Sequence, residues 1–258
     1  MRLLRTIAVT FAQYSRIPMP RFEWKKEDMR YSMAVFPWVG AVIAALVYLW
    51  CRLCTLAEIP AAAEAMIMTA IPMILTGGFH VDGFMDVCDA RSSYKSSEEK
   101  LNILKDPHIG AFAVIRLMTA GLIYLASLII LCGDRSGVLT VCLGFFFARA
   151  LSALGVLTFR SARHEGMLFW EADTAAEGRR GNLVLNAVWI AGCAVLVMYF
   201  GGYAGGVAVC AALLSFGHYR RMSYREFGGI TGDTAGWFVT VCEVAMAAAA
   251  ALYVLIQK

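Results

Sequence analysis

Seven apolar runs divide this chain, at roughly 34–54, 61–79, 111–132, 137–157, 183–200, 203–219 and 236–256. Each approaches the ~20 residues that take an α-helix across a bilayer. Backbone polar groups find no water inside hydrocarbon, so runs of this length are read as helices. The sixth run is the shortest and bears glycines, and Pro72 is expected to kink the second. Ahead of the first run, Leu3, Leu4, Ile7, Ala8 and Phe11 recur at helical spacing beside Arg2 and Arg5. That pattern predicts an amphipathic helix lying in the membrane interface and ending near Pro18 and Pro20. The expected fold is all-α, a polytopic membrane bundle of about seven transmembrane helices plus an N-terminal interfacial helix. It forms one integral membrane domain over residues 1–258.

Composition points the same way. Hydrophobic residues make up 60% of the chain and charged residues 16%, whereas soluble domains are about a quarter charged. Mean hydropathy is +0.64. These values exclude an ordinary soluble enzyme, and no stretch points to nucleic acid. The opening "MRLLRTIAVTFAQYSRIPMP" lacks the small-residue cleavage site of a secretory signal. Cys142, Cys193, Cys210 and Cys242, half of the eight cysteines, lie inside apolar runs, where a thiol acts as a small hydrophobe. Cys51 and Cys54 form a C-x-x-C without the second pair that a metal site calls for.

Charge sets the orientation. Eighteen of the 23 lysines and arginines precede the first run or fall in 80–110, 158–182 and 217–235. Those segments share one side if seven spans alternate. The opposite connections, "TLAEIPAA", "GDRSG" and "GGYAGG", hold only Arg135. The positive-inside rule then gives a cytoplasmic amino terminus, an external carboxyl terminus and polar motifs facing the cytoplasm from the inner membrane.

The chemistry concentrates in "GGFHVDGFMDVCDA" (77–90). Asp82, Asp86 and Asp89 are spaced i, i+4, i+7, within about a 60° arc of one helical face. Carboxylates some 5 Å apart repel by about 3 kcal/mol per pair at an effective dielectric near 20. A single ionised aspartate at the bilayer centre costs roughly 2.5–3.5 kcal/mol. A Mg²⁺ ion removes the repulsion, suits oxygen ligands and leaves positions for phosphate and water. Gly77, Gly78 and Gly83 permit close approach of backbone or ligand. The plainer alternative is a solvated acidic loop, but a loop has no need of acids on one helical face. His80 either assists deprotonation of a nucleophile, binds phosphate, or is simply hydrogen-bonded at the interface.

Other polar groups share that side. "LKDPHIGAFAV" (104–114) sets Lys105, Asp106 and His108 before the third span, as substrate contacts or as a polar cap. Arg149 lies roughly 12 Å inside the fourth span and Glu243 at matching depth in the seventh. Intramembrane charges are functional sites or mutual pairs. Either Arg149 and Glu243 bridge two helices, or Arg149 reaches phosphate while Glu243 completes the acidic metal site. Arg160 and Arg163 in "FRSARHEG" offer guanidinium forks to phosphate, although positive-inside topology alone also puts arginines there. In "GGITGDTAGW" (228–237), Thr231, Asp233 or Thr234 caps the seventh span, or the glycines cradle a phosphate at its amino terminus.

Together these stretches resemble the cobalamin synthase (adenosylcobinamide-GDP ribazoletransferase) family. The resemblance rests on "FPWVG" (36–40), "TGGFHVDGFMDVCDA" (76–90), "LKDPHIGA" (104–111), "ARHEG" (162–166) and "GGITGDT" (228–234). It implies that the ribose 3′-hydroxyl of α-ribazole, or of its 5′-phosphate, attacks the cobinamide-side phosphorus of adenosylcobinamide-GDP. GMP leaves, with Mg²⁺ as cofactor. The implied substrates are thus a corrinoid nucleotide diphosphate and α-ribazole, met at a membrane-lipid surface; oligomeric state stays open. The resemblance also implies Asp82, Asp86 and Asp89 as metal and diphosphate residues, with Asp233 beside them. The stretch "MLFWEADTAAEGRRGN" (167–182) matches nothing clearly. A CDP-alcohol phosphotransferase would share the metal–diphosphate logic, but Asp82-Gly83 is not followed by its Ala-Arg. An intramembrane prenyltransferase would usually show two aspartate-rich repeats. An ion-coupled transporter would place its acids near the midplane of repeated, broken helices.

Overall fold

The structure is a computed structural model and describes residues 2–163 and 167–257. His164, Glu165 and Gly166 of the "ARHEG" stretch lie outside the described residues.

The chain forms the expected amphipathic helix first, α1 (Arg2–Tyr14), which buries Val9, Phe11 and Tyr14 and exposes Leu3 and Leu4. It ends at Tyr14, before the prolines. A short turn of helix, α2 (Lys26–Met29), is tied back to it by Arg5, whose Nε and Nη2 donate to the two Asp28 carboxylate oxygens at 2.9 Å. Helix α3 (Ser32–Leu56) follows. Its Gly40 meets the backbone at Phe145 so closely that a Cβ there would collide with the Phe145 carbonyl. The glycine of "FPWVG" is thus a helix-crossing point, where small residues let membrane helices approach.

Helix α4 (Ala61–Thr76) runs on through Pro72, and the sharp break comes later. At Gly77 and Gly78 both φ angles are positive (66° and 81°), and α5 (Phe79–Ser92) leaves at 94° to α4. Two successive left-handed residues turn the chain where proline alone does not, because only glycine takes that conformation freely. We read α4 as the span and α5 as a helix lying across the end of the bundle.

Helix α6 (Ser97–Ile103) opens with a reciprocal Ser96–Glu99 capping box. Helices α7 (Ala111–Leu131) and α8 (Arg135–Thr158) are joined by a tight turn. In the stretch that matched nothing in sequence lies a further helix, α9 (Met167–Ala176). Helix α10 (Arg179–Phe227) has 49 residues. Straight, it would be about 74 Å long. Instead Gly202 is non-helical (φ 55°, ψ −136°), and a Cβ on Gly205 would strike the Val197 carbonyl. The two halves are therefore folded against each other as a hairpin. The last helix is α11 (Gly232–Ile256).

Five of these helices are long and apolar enough to cross a membrane, or six with the bent α4–α5 pair as one span. Counting the α10 hairpin as two crossings gives seven among the described residues, an all-α polytopic membrane protein. No strand occurs among them, only an isolated parallel bridge between Ser161 and Ile230. Helix α8 is the most enclosed, with Phe145, Phe147, Ala148 and Leu151 fully buried between α3, α10 and α11. All eight cysteines are free thiols, Cys51 and Cys54 among the buried ones.

One end of the bundle collects the polar connections. Arg30 Nη2 donates to the Glu177 carbonyl at 2.8 Å, Arg16 N to the Leu75 carbonyl at 2.7 Å, and Ala162 N to the Ile230 carbonyl at 2.8 Å. Arg163 Nη2 also donates to the Leu101 carbonyl, so the 80–110, 158–182 and 217–235 segments meet at one end of the bundle.

Candidate active site

Helix α5 is held against the first turns of α11 by glycines. Gly83 lies on the Asp233 backbone and Gly236 on the His80 backbone, with no room at Gly83 for a Cβ. Thr240 Oγ1 also donates to the His80 carbonyl at 3.2 Å. This packing sets the exposed Asp82 and the half-buried Asp86 beside Asp233. The Asp86 carboxyl is pushed up to about 6, first by burial and then by the neighbouring Asp82, Asp233 and Asp89 carboxylates. It occupies the centre of a group of four acids.

Asp233 is fixed by its helix cap. Thr231 is the N-cap of α11. Its Oγ1 accepts from Thr234 N at 3.1 Å, and Thr234 Oγ1 accepts from Thr231 N at 2.8 Å. Both threonines are buried, so they cap the helix and present no hydroxyl to a ligand. The glycines before them have structural duties as well. Gly228 ends α10 with φ 75°, and a Cβ on Gly229 would strike the Arg160 carbonyl. Gly232 has open space above it.

Asp89 has a different part from Asp82 and Asp86. One carboxylate oxygen accepts from Gly110 N and the other from Ala113 N, the latter at 2.9 Å. It closes the amino terminus of α7 and so locks α5 to that helix, a favourable position for a negative charge. Asp82 and Asp86 accept no side-chain hydrogen bond from the described residues, and Asp233 accepts a long one from Thr231 Oγ1 at 3.4 Å, leaving these three as the less committed carboxylates of the group. Among the described residues, no group of three or more His, Cys, Asp or Glu side chains is drawn close enough together to hold a metal ion as it stands.

The basic candidates divide. Arg163 lies within electrostatic reach of Asp233, while its Nη2 donates to the Leu101 carbonyl. Arg160 packs on the Tyr224 ring and donates to the Gly228 carbonyl at 2.8 Å. It buttresses the loop before α11. Lys105, Asp106 and His108 are exposed. Asp106 accepts from both His108 N (3.0 Å) and His108 Nδ1 (2.6 Å), a self-contained turn ahead of α7.

His80 and the Arg149–Glu243 pair stand apart from the acid group. His80 is buried between the Phe36 and Phe79 rings, at 5.8 and 5.5 Å, and neither ring nitrogen has a hydrogen-bond partner among the described residues. Arg149 Nη1 donates to Glu243 Oε1 at 2.7 Å and to the Phe145 carbonyl at 2.9 Å. Of the two readings of these charges, the helix-bridging pair is the arrangement observed. Glu243 sits ten residues beyond Asp233, about 15 Å along α11.

One cluster is not evident in the sequence. Glu226 at the end of α10 accepts from Arg91 at 3.1 Å and from Lys100 at 3.0 Å, tying α5 and α6 to α10. Only a register for α10 running eight residues past its apolar run would have revealed it.

A family model described as cobalamin-5-phosphate synthase matches residues 6–251. The chain belongs to that family. Curated relatives agree in name. The adenosylcobinamide-GDP ribazoletransferase of Lachnoclostridium phytofermentans is 34% identical over 244 residues, covering 95% of this chain and 92% of that protein. Proteins of the same name from Pseudomonas fluorescens (30% identical; 95% of this chain and 98% of the relative) and Clostridium perfringens strain 13 (28%; 93% and 94%) are also similar along their lengths. No solved structure matches the chain. The four acids, the capped "GGITGDT" loop and both arginines lie within the matched span.

Proposed function

We propose that this chain catalyses the reaction named by its relatives, transfer of a cobinamide phosphate from adenosylcobinamide-GDP to α-ribazole or its 5′-phosphate. The acceptor hydroxyl forms a new bond to phosphorus and loses its proton, the bond to the GMP oxygen breaks, and GMP departs. The observation that supports this reading is the position of Asp86, half-buried among three further carboxylates at the amino terminus of α11.

An all-oxygen donor set with surplus negative charge fits Mg²⁺. Asp82, Asp86 and Asp233 would hold the ion, which when bound neutralises charge on the diphosphate and the leaving oxygen. Phosphoryl transfer otherwise needs mainly positioning. Arg163 sets a guanidinium beside Asp233, suited to a phosphate oxygen. Asp89 fixes α5 against α7, and the Thr231–Thr234 box fixes the turn that bears Asp233. The excess of lysine and arginine at this end of the bundle supports a site facing the cytoplasm from the inner membrane.

The test is GMP release by the purified protein in proteoliposomes given adenosylcobinamide-GDP, α-ribazole and Mg²⁺. Turnover should stop in excess EDTA and return with Mg²⁺, and Asp82→Asn should abolish it. Turnover that persists in EDTA would remove the metal from the mechanism. Absence of GMP from a folded, metal-supplied protein would defeat the substrate assignment.

A further inference from the structure

Behind α5, on the side away from the acids, lies a groove of about 790 Å³ between α5, α7 and α11. Helix α5 has two faces. Asp82, Asp86 and Asp89 line one, while Phe84, Cys88 and Arg91, displaced by two residues or about 200°, line the other. The rim of the groove bears five cations, Arg91, Lys95, Lys100, Arg116 and Arg225, and one acid, Glu226. Glu226 is already shared by Arg91 and Lys100. Arg116 and Arg225 are exposed and have no carboxylate partner among the described residues. An exposed arginine five residues into a membrane-crossing helix is costly unless something negative meets it.

Below the rim the lining changes to Ala120, Ile123, Val241 and Val244. Ile123 and Val244 are each twelve residues into their helices, about 18 Å from the polar end. That is more than half of the ~30 Å hydrocarbon thickness. Cations above a deep apolar strip match a phosphate ester joined to an acyl chain. A free phosphate or a nucleotide would satisfy the rim and leave the strip uncovered.

We propose that this groove is a binding site for an anionic phospholipid, its phosphate held by Arg116 and Arg225 and one acyl chain lying between α7 and α11. The site is separate from the acid group and stands whether or not the transferase assignment does. A bound lipid would brace α5 from behind, since Phe84, Cys88 and Arg91 contact it on the helix whose other face presents the acids.

The test uses full-length protein in nanodiscs of phosphatidylcholine with a minor fraction of phosphatidylglycerol, extracted into detergent and examined by native mass spectrometry. Phosphatidylglycerol should be retained over phosphatidylcholine. Arg116→Gln and Arg225→Gln should each lower retention about fivefold, the scale of one basic residue at an anionic membrane surface. Arg116→Lys should restore it, which a misfolded protein would not. Inorganic phosphate and GMP at millimolar concentration should fail to displace the lipid. Equal retention by monodisperse Arg116→Gln protein, or no preference for phosphatidylglycerol, would overturn the proposal. Displacement by phosphate or GMP would also overturn it, giving the groove to a soluble ligand.

Discussion

Helix α11 bears acids at two levels, Asp233 in its first turn and Glu243 nearly three turns further in. Glu243 has a guanidinium at 2.7 Å, and that Arg149 is almost wholly buried. Asp233 has no ion pair at that range among the described residues: Arg163 is within electrostatic reach, and Asp82 and Asp86 lie beside it, with Asp86 pressed among the acids. The deeper charge is neutralised by the fold; the shallower group is left in surplus. Buried charge is tolerated when paired and hydrogen-bonded, and Arg149 Nη1 has both Glu243 and the Phe145 carbonyl, although its buried Nε has no partner among the described residues. Under the proposed function, a cation joins the acid group there and makes it the chemical site.

The largest expected effect comes from breaking the pair. Arg149→Met leaves the partly buried Glu243 without a partner and should cost up to about 3–5 kcal/mol of stability, measured by thermal unfolding in detergent. Adding Glu243→Leu should recover most of that loss, because replacing a whole buried pair by apolar groups is often neutral. Strictly additive losses would show that the two residues act separately and would end the comparison.

A contrasting response is expected at Asp86. Asp86→Asn should lower turnover about 10²- to 10³-fold, the scale of losing one electrostatic contact to a transition state. Metal-free stability at pH 7 should instead rise, by on the order of 1 kcal/mol once solvent screening of a half-exposed group is allowed for. Loss of stability together with activity would make Asp86 a structural acid like Glu243.

The smallest effect is in pH dependence. An ordinary aspartate titrates near 4, whereas the Asp86 carboxyl is pushed up to about 6. The folded state therefore binds this proton more tightly than the unfolded state. Metal-free stability should fall as pH rises from about 4 to about 6 and stay level above, a slope that Asp86→Asn removes. Under the proposed function Mg²⁺ would compete with the same proton, so its apparent Kd should rise up to about tenfold per pH unit below 6. Calorimetric titration between pH 5 and 8 reads this directly, and a flat profile would mean that Asp86 does not ligate the metal.

Much of the bundle was legible without coordinates, because length and apolarity alone decide whether a segment crosses a bilayer. The glycine-bearing connection before the sixth run did become a hairpin at Gly202. The helical spacing of Asp82, Asp86 and Asp89 was real, yet it did not tell that Asp89 would cap α7. Pro72 drew attention as a kink, while the turn was made at Gly77 and Gly78. Periodicity reports which residues share a face and is silent about what that face meets.

The sequence by itself determined an all-helical membrane protein with its positive charge gathered at one end and three acids aligned on one helix. Those properties follow from local composition and from helical geometry. Only the tertiary structure decided that Asp233 joins Asp82 and Asp86, that Glu243 is occupied by Arg149, and that Thr231 and Thr234 serve a helix cap. Each depends on which backbone a glycine lets approach, at Gly83 and Gly236 above all, and close packing between segments 150 residues apart leaves no periodic trace along the chain.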